Sequence, residues 1–410
     1  MMGTLFSVYL IVEAGFDPFQ LVVMGTILEV TVLVFEVPTG VLADHVSRRL
    51  SVIVGVALSG IGFGLTGLVE SFWHIAIAQM FWGVGYTFIS GAQVAWITDE
   101  VGETEAAKLY VRGSQYWQFS SVLGIGVGVG LATISLGLPL VVSGVVLLGL
   151  ALALVVVMPE DNFPGRGAAA GEARSVLAPF RGGISMLKTR PILVLILAVA
   201  LIQGLSTEGF DRLAHLHLIA DTGLPSIGGL DRVLWFGILD GGGLLLAIAG
   251  AEYVKRKVDV TSHAGAAKAL AFIDTLLIVG VAFFALVTNF YAALIAFWIV
   301  ALLREVNEPI YEAWVNQGLE PKSRATVNSM ASQAHAFGEV GGFGFGLVAR
   351  ASVPGAIFLS GIVRAPALLL FWRALKKGTV ATLPPEEMEP VEPEPGPPTD
   401  TVAINAPDRP

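Results

Sequence analysis

Long runs of apolar residues, separated by short polar breaks, follow one another along almost the whole chain. A helix needs about 20 apolar residues to cross the hydrocarbon core of a bilayer. Eleven runs meet this length, so the pattern predicts eleven membrane-spanning helices. Their ranges are 19–41, 50–70, 74–98, 108–132, 137–158, 191–213, 231–254, 264–287, 290–316, 325–349 and 353–375. Residues 1–14 are also apolar, but they are too few for a complete twelfth span.

The composition indicates an all-α, polytopic membrane protein. Hydrophobic residues make up 54% of the chain and charged residues only 14%, whereas a soluble domain carries roughly 25% charged residues. The chain therefore lacks the polar surface that a soluble fold needs, and we expect a lipid bilayer around it. It contains no cysteine, which excludes disulfide scaffolds and thiolate metal sites. A net charge of −9 offers no basic face to nucleic acid.

Two segments interrupt the apolar pattern. Residues 159–190 contain proline, glycine and five basic residues, and we predict that they link two halves of the molecule. Residues 378–410 are rich in proline and glutamate, a composition typical of disordered tails. The predicted organisation is thus an N-terminal bundle over 1–158, the linker, a C-terminal bundle over 191–377, and the tail.

Basic residues accumulate on one side of the predicted spans. They occupy alternate breaks, while the intervening breaks contain only Arg212, Arg232 and Arg350. Loops that carry Lys and Arg stay on the cytoplasmic side of a membrane. We therefore predict a multi-pass protein of the cell membrane, with both termini in the cytoplasm.

The two halves repeat a short motif. Ala95 and Trp96 end the fourth span in the pattern Ala-Trp-Ile-Thr-Asp, and Ala313 and Trp314 end the tenth in Ala-Trp-Val-Asn-Gln. The offset corresponds to six helices. Two six-helix bundles in the same orientation are related by an axis along the membrane normal, so we predict a pseudo-two-fold arrangement.

The break between the second and third spans, residues 40–49, is called the signature loop here. Its sequence is Gly-Val-Leu-Ala-Asp-His-Val-Ser-Arg-Arg, which resembles the pattern Gly-x-Leu-Ala-Asp-Arg-x-Gly-Arg-Arg of the major facilitator superfamily. Gly40, Asp44, Arg48 and Arg49 match, with Leu42 and Ala43 between them. A small residue such as Gly40 allows close helix approach. The departures are His45 and Ser47. An ordinary positively charged loop is the alternative interpretation.

The resemblance implies a transporter that works by alternating access, with two bundles rocking about a central site. It further implies that Asp44 helps to latch the cytoplasmic side, and that the protein acts on a small molecule as a monomer. Because each half of this fold has six full spans, we expect residues ahead of Met1 to complete the first helix. The fifth span lacks the Gly-Pro pattern of antiporters, so drug or metabolite efflux stays one option among several.

Ionisable residues inside apolar spans are costly and usually functional. Arg304, Glu308 and Glu312 follow one face of the tenth span, and His335 and Glu339 lie four apart in the eleventh. We predict that at least one carboxylate carries a proton, with Glu308 or Glu339 foremost and Glu36 as a further candidate. Structural pairing, such as Arg304 with Glu308, is the alternative. The isolated Asp274 is the weakest candidate.

Aromatic and amide side chains predict the substrate cavity, because the resemblance places helices four and ten along its wall. The candidates are Trp82, Tyr86, Gln93, Gln118, Asn307 and Tyr311. No catalytic constellation, nucleotide loop or metal signature is present in the sequence, so we predict neither an enzyme nor a cofactor. The leading hypothesis is a secondary transporter coupled to protons. The alternatives are facilitated diffusion and a membrane sensor that transports nothing.

Overall fold

The computed structural model describes residues 2–163, 191–226, 232–257, 262–317, 319 and 321–377. Most of the predicted linker and all of the predicted tail therefore lie outside the described residues. Fourteen helices account for the described secondary structure, and the part of the chain that is described contains no strand. The predicted all-α class is confirmed.

The first six helices form one half of the molecule. They are α1 (Met2–Val12), α2 (Pro18–His45), α3 (Arg48–Thr66), α4 (Phe72–Val101), α5 (Glu103–Ala132) and α6 (Leu138–Val157). The start of α2 shows how the local sequence sets a boundary. Asp17 accepts a hydrogen bond from the Gln20 backbone nitrogen at 2.8 Å, and the Gln20 side chain accepts one from the Asp17 nitrogen at 2.9 Å. This reciprocal cap satisfies backbone donors that the first turn leaves free.

The remaining helices form the second half. They are α7 (Pro191–Ala220), α8 (Arg232–Lys257), α9 (His263–Leu286), α10 (Phe290–Asn316), α11 (Pro321–Gly341), α12 (Phe343–Ala349), α13 (Val353–Val363) and α14 (Ala365–Lys377). The helix is interrupted at Gly342 and again at Arg364, while the chain continues. The pair α11 and α12 therefore makes one crossing, and so does the pair α13 and α14. The described chain thus has twelve helical positions, of which α1 has only 11 residues and is too short for a complete crossing, and all eleven predicted spans are helical.

Nine helical segments of the described chain, with α13 and α14 counted as one, are long and apolar enough to cross a membrane. The predicted spans 108–132 and 325–349 are not among these nine segments. Their helices, α5 and α11, contain glycine, amide and charged residues between the apolar ones, which lowers the mean hydropathy. These polar residues need partners or water, so such helices suit the interior of a bundle rather than the lipid face.

Each half packs in the same way. In the first, α3 contacts α4 and α6, and α2 contacts α4; in the second, α9 contacts α10, α13 and α14, and α8 contacts α10. The contacts therefore repeat at an offset of six crossings. Glycine allows the closest approaches: a Cβ on Gly144 would lie 2.6 Å from the Gly64 Cα and 2.7 Å from the Gly60 oxygen. These small residues are helix-packing contacts.

The two halves contact each other at one end of the bundle, which we call the closed end. There α2 packs on α7, α11 and α12, and α5 packs on α8. Phe19 lies 5.3 Å from Phe343 between ring centroids, and the Arg350 guanidinium lies 4.1 Å above the Phe19 ring. At the opposite end, which carries the signature loop and is called the loop end, neither α4 nor α5 forms a packed interface with α10 or α11 in the described chain.

Candidate functional site

A cavity of about 820 Å³ lies between the halves and opens towards the loop end. Its wall comes mainly from α7, α10 and α11, while Tyr86 of α4 is the contribution of the first half. The polar side chains that line it include Gln203, Thr207 and Asp211 of α7, Arg304, Asn307, Glu308 and Tyr311 of α10, and Ser332, His335 and Glu339 of α11. A space of this size accommodates an organic solute of moderate size.

The structure separates the predicted cavity residues into two groups. Tyr86, Asn307 and Tyr311 line the cavity, whereas Trp82, Gln93 and Gln118 do not. Phe63 and Phe6 cover Trp82, with ring centroids at 5.0 and 6.2 Å, so its indole belongs to the interior of the first half. Gln93 is exposed beyond the cavity on α4, and α5 places Gln118 away from α10 and α11.

Arg304 forms a two-point ion pair with Asp211 of α7. Its Nη2 lies 2.8 Å from Oδ2, and its Nη1 contacts Oδ1. The alternative of a pair with Glu308 along α10 is therefore wrong, because the neighbouring helix offers a carboxylate that can accept both guanidinium nitrogens. Glu308 is left exposed in the cavity.

Three carboxylates meet where the halves touch. One oxygen from each of Glu29, Glu208 and Glu339 lies within 4.8 Å of the others. Arg212 donates to both Glu208 oxygens at 3.1 Å, and its Nη2 lies 3.5 Å from Glu29. We call these four residues the interface cluster. It joins α2 of one half to α7 and α11 of the other.

Local sequence explains how Arg212 reaches this position. A Cβ on Gly25 of α2 would lie 2.6 Å from the Arg212 Cζ, so glycine at this position leaves room for the guanidinium as it is placed here. On the cavity side, the His335 Nδ1 lies 3.6 Å from Glu339. Glu339 lines the cavity and also belongs to the cluster, so the two features are continuous.

A second buried ion pair lies behind the α10 wall. Asp274 is fully buried, and its Oδ1 lies 2.9 Å from both the Arg364 Nη2 and the Asn307 Nδ2. Asn307 in turn accepts from Gln203 at 3.3 Å, and Arg364 donates to Ser206 at 3.1 Å. Asp274 thus holds two cavity-lining side chains in position without lining the cavity itself.

The signature loop joins α2, α3, α4 and the end of α6. Arg48 contacts Asp99, donates to the Ala95 oxygen at 3.3 Å and lies 3.4 Å from Asp44. The Arg49 guanidinium donates to the Val155 oxygen, so this arginine binds the end of α6. The Asp44 side chain is 59% exposed. A Cβ on Gly40 would meet nothing within 4 Å, so the close helix approach predicted there is absent in this arrangement, which is open at that end.

Sequence reasoning missed several of these residues. The seventh span was predicted to end at 213, with Arg212 in a loop, but α7 continues to Ala220 and Arg212 lies within it. The polar residues there face protein rather than lipid, so hydropathy alone ends the span too early. The usable signal was Glu208 four residues before Arg212, which is ion-pair spacing on a helix. Glu36, by contrast, is exposed and does not line the cavity.

Comparisons with known proteins agree with this architecture. The sequence model of the Major Facilitator Superfamily matches residues 1–342. A curated relative, the uncharacterized MFS-type transporter YxaM of Bacillus subtilis (strain 168), is 27% identical over 105 residues, which covers 26% of this chain and 26% of the relative. The alignment thus spans about a quarter of that relative's length.

Solved structures share the fold at low sequence identity. The nucleoside transporter NupG is 12% identical with a TM-score of 0.71, covering 92% of this chain and 95% of that one. The peptide transporter POT in complex with sulfate is 15% identical with a TM-score of 0.69, covering 91% and 90%. The two repeated halves agree with the family match, which covers most of the sequence and shows that this chain belongs to the major facilitator superfamily.

Proposed function

We propose that this transporter is a secondary active carrier that moves a small organic solute across the cell membrane, coupled to protons, by alternating access. The observation that carries the proposal is the interface cluster. It is continuous with the cavity through Glu339 and connects the two halves that alternating access must move. Two proteins of the same fold, NupG and POT, are named as a nucleoside transporter and a peptide transporter. These names support the proposal that the solute is a polar organic molecule.

The charge balance of the cluster favours proton binding. Glu29, Glu208 and Glu339 would bring three negative charges within 4.8 Å, against one positive charge from Arg212. Like charges this close inside a protein do not all ionise, and a shared proton relieves the repulsion.

Proton binding to the cluster also determines which arrangement of the two halves is favoured. With all three carboxylates ionised, Glu29 faces two negative charges and one positive charge on the other half, which repel it. With one proton on Glu208 or Glu339, these charges cancel and the halves stay in contact. Acidic conditions therefore favour the arrangement that is open at the loop end, and alkaline conditions favour its closure.

The signature loop supports the same cycle. Asp44 is exposed while the loop end is open, so its carboxylate is free to contact the second half when that end closes. We propose this latch role for Asp44, and we propose that the loop end faces the cytoplasm, where the predicted basic breaks lie. An exporter of a drug or metabolite would load its solute in this state.

Spin labels test proton control without knowledge of the solute. Leu109→Cys on α5 and Ser329→Cys on α11 place one label on each half near the loop end, in a chain with no native cysteine. In lipid nanodiscs, we expect alkaline pH to enrich short label distances, and Glu339→Gln or Glu29→Gln to abolish that response. Asp44→Asn should deplete the short distances at every pH.

Glu70→Gln is the matched control, because Glu70 is an exposed carboxylate in the α3–α4 loop, away from the cluster. A full pH response in both cluster variants would assign these carboxylates a structural role. If solute flux into proteoliposomes is independent of a pH gradient, this would indicate facilitated diffusion. If the spin-label distances of the wild type do not change under any condition, this would favour a protein that transports nothing.

A further inference from the structure

The charged side chains that line the cavity leave it with an excess of negative charge. Its two guanidinium groups are already paired, Arg304 with Asp211 and Arg364 with Asp274. The carboxylates of Glu305, Glu308 and Glu312 also line it, and the described residues offer them no basic partner within ion-pair distance. We infer that the cavity binds an organic cation, with the α10 carboxylates and the two cavity tyrosines as its walls. This inference rests on the proposed transport function and names its class of solute.

The three carboxylates are arranged as one surface. Positions 305, 308 and 312 are spaced by three and four residues, which places them along one face of α10. All three side chains are exposed to the cavity. The polar α11 groups that line the same cavity are Asn328, Ser332, His335 and Glu339. A solute that brings a positive charge between α10 and α11 therefore meets carboxylates that the protein leaves without a counter-charge.

Two tyrosine rings complete this environment. Tyr86 is 54% exposed and is the side chain that α4 contributes to the cavity. Tyr311 lies one residue from Glu312, and its hydroxyl donates to the Ile196 oxygen at 3.1 Å, which fixes the ring. Aromatic faces attract organic cations, with more energy where water is excluded. The rings thus compensate for part of the hydration that a cation loses on entry.

Arg364 also belongs to the lining of the cavity, but its charge is already balanced. Its residue surface is 7% exposed, and its bonds to Asp274 and Ser206 leave Nε without a partner among the described residues. Because Asp274 balances its charge, Arg364 adds no net repulsion towards a cation.

Two ions of the same shape and opposite charge test the inference. Tetraphenylphosphonium and tetraphenylborate are titrated into the purified full-length protein in detergent. We expect the phosphonium to bind, tetraphenylborate not to displace it, and the double substitution Glu308→Gln with Glu312→Gln to weaken the affinity about tenfold or more, since two attractive charges are lost. The Glu70→Gln protein serves as the control for the loss of a carboxylate outside the cavity.

Three results would overturn the inference: equal binding of the two ions, an unchanged affinity in the double variant, or no binding of the phosphonium. Thermal unfolding of each variant shows whether it is folded, and Glu312→Gln alone replaces the pair if the double variant is not. The spin-label experiment needs no ligand, so a pH response without cation binding would overturn the solute class and leave proton coupling intact.

Discussion

At the scale of single residues, Arg212 contacts more residues than the sequence pattern predicts. It lies inside α7, fills the space beside Gly25, and balances Glu208 and Glu29 across the contact between the halves. The Glu208 side chain is only 2% exposed. A buried carboxylate of this kind is tolerated because its charge is paired and hydrogen-bonded.

Removal of that pairing should therefore destabilise the fold. We expect Arg212→Gln to lower the free energy of unfolding by about 3–5 kcal/mol, because it leaves buried carboxylates without a counter-charge. Thermal unfolding in detergent measures the change. The second substitution Glu208→Gln should restore part of the loss in a double-mutant cycle. Equal stability of wild type and Arg212→Gln would contradict the burial argument.

At the scale of the helices, the sequence predicts most of what is local and little of what is not. Apolar runs place all eleven predicted spans, because each helix needs about 20 lipid-compatible residues whatever it packs against. The end of α7 was misplaced, since Asp211 pairs with Arg304 of α10, and Arg212 pairs with Glu29 of α2 as well as with Glu208 of its own helix. Trp82 was misassigned for the same reason: spacing put it on the Tyr86 face, but Phe6 of α1 covers it.

The crossing of α3 and α6 gives a matched pair of substitutions on one helix. A Cβ on Gly144 would lie 2.6 Å from the Gly64 Cα, whereas a Cβ on Gly149 would meet nothing within 4 Å. We expect Gly144→Ala to cost about 1–3 kcal/mol through overpacking. Gly149→Ala should be neutral or slightly stabilising, because alanine is the better helix former. Thermal unfolding of both proteins checks this, and equal behaviour would argue against a tight crossing.

At the scale of the whole molecule, the closed end holds the two halves together while the loop end stands open. The family fold implies that these roles exchange during transport. Bistable interfaces of this kind convert a local change of charge into movement of a whole bundle. In the proposed cycle the interface cluster lies at the contact that must open, so we expect its protonation to shift the equilibrium between the two states.

A reversible cross-link at the closed end should trap the observed state. A Cβ on Gly346 would lie 3.1 Å from the Val22 Cβ, close to the separation of about 3.8 Å in a disulfide. We expect Val22→Cys with Gly346→Cys to form a disulfide on oxidation and to abolish the pH response of loop-end label distances. A reducing agent should restore it. Loop-end closure in the cross-linked protein would show that the halves do not exchange contacts as proposed.

The thin contact formed by Phe19, Phe343 and Arg350 has an electrical consequence. Water in the open cavity would carry the potential of the loop-end compartment deep into the molecule, so we expect the membrane voltage to fall mainly across the short packed layer at the closed end. A charge that crosses the full voltage gains or loses about 2.3 kcal/mol per 100 mV. A proton that reaches the interface cluster through the closed end would traverse much of this focused field. The cell's electrical potential, and not its pH gradient alone, should therefore drive the cycle.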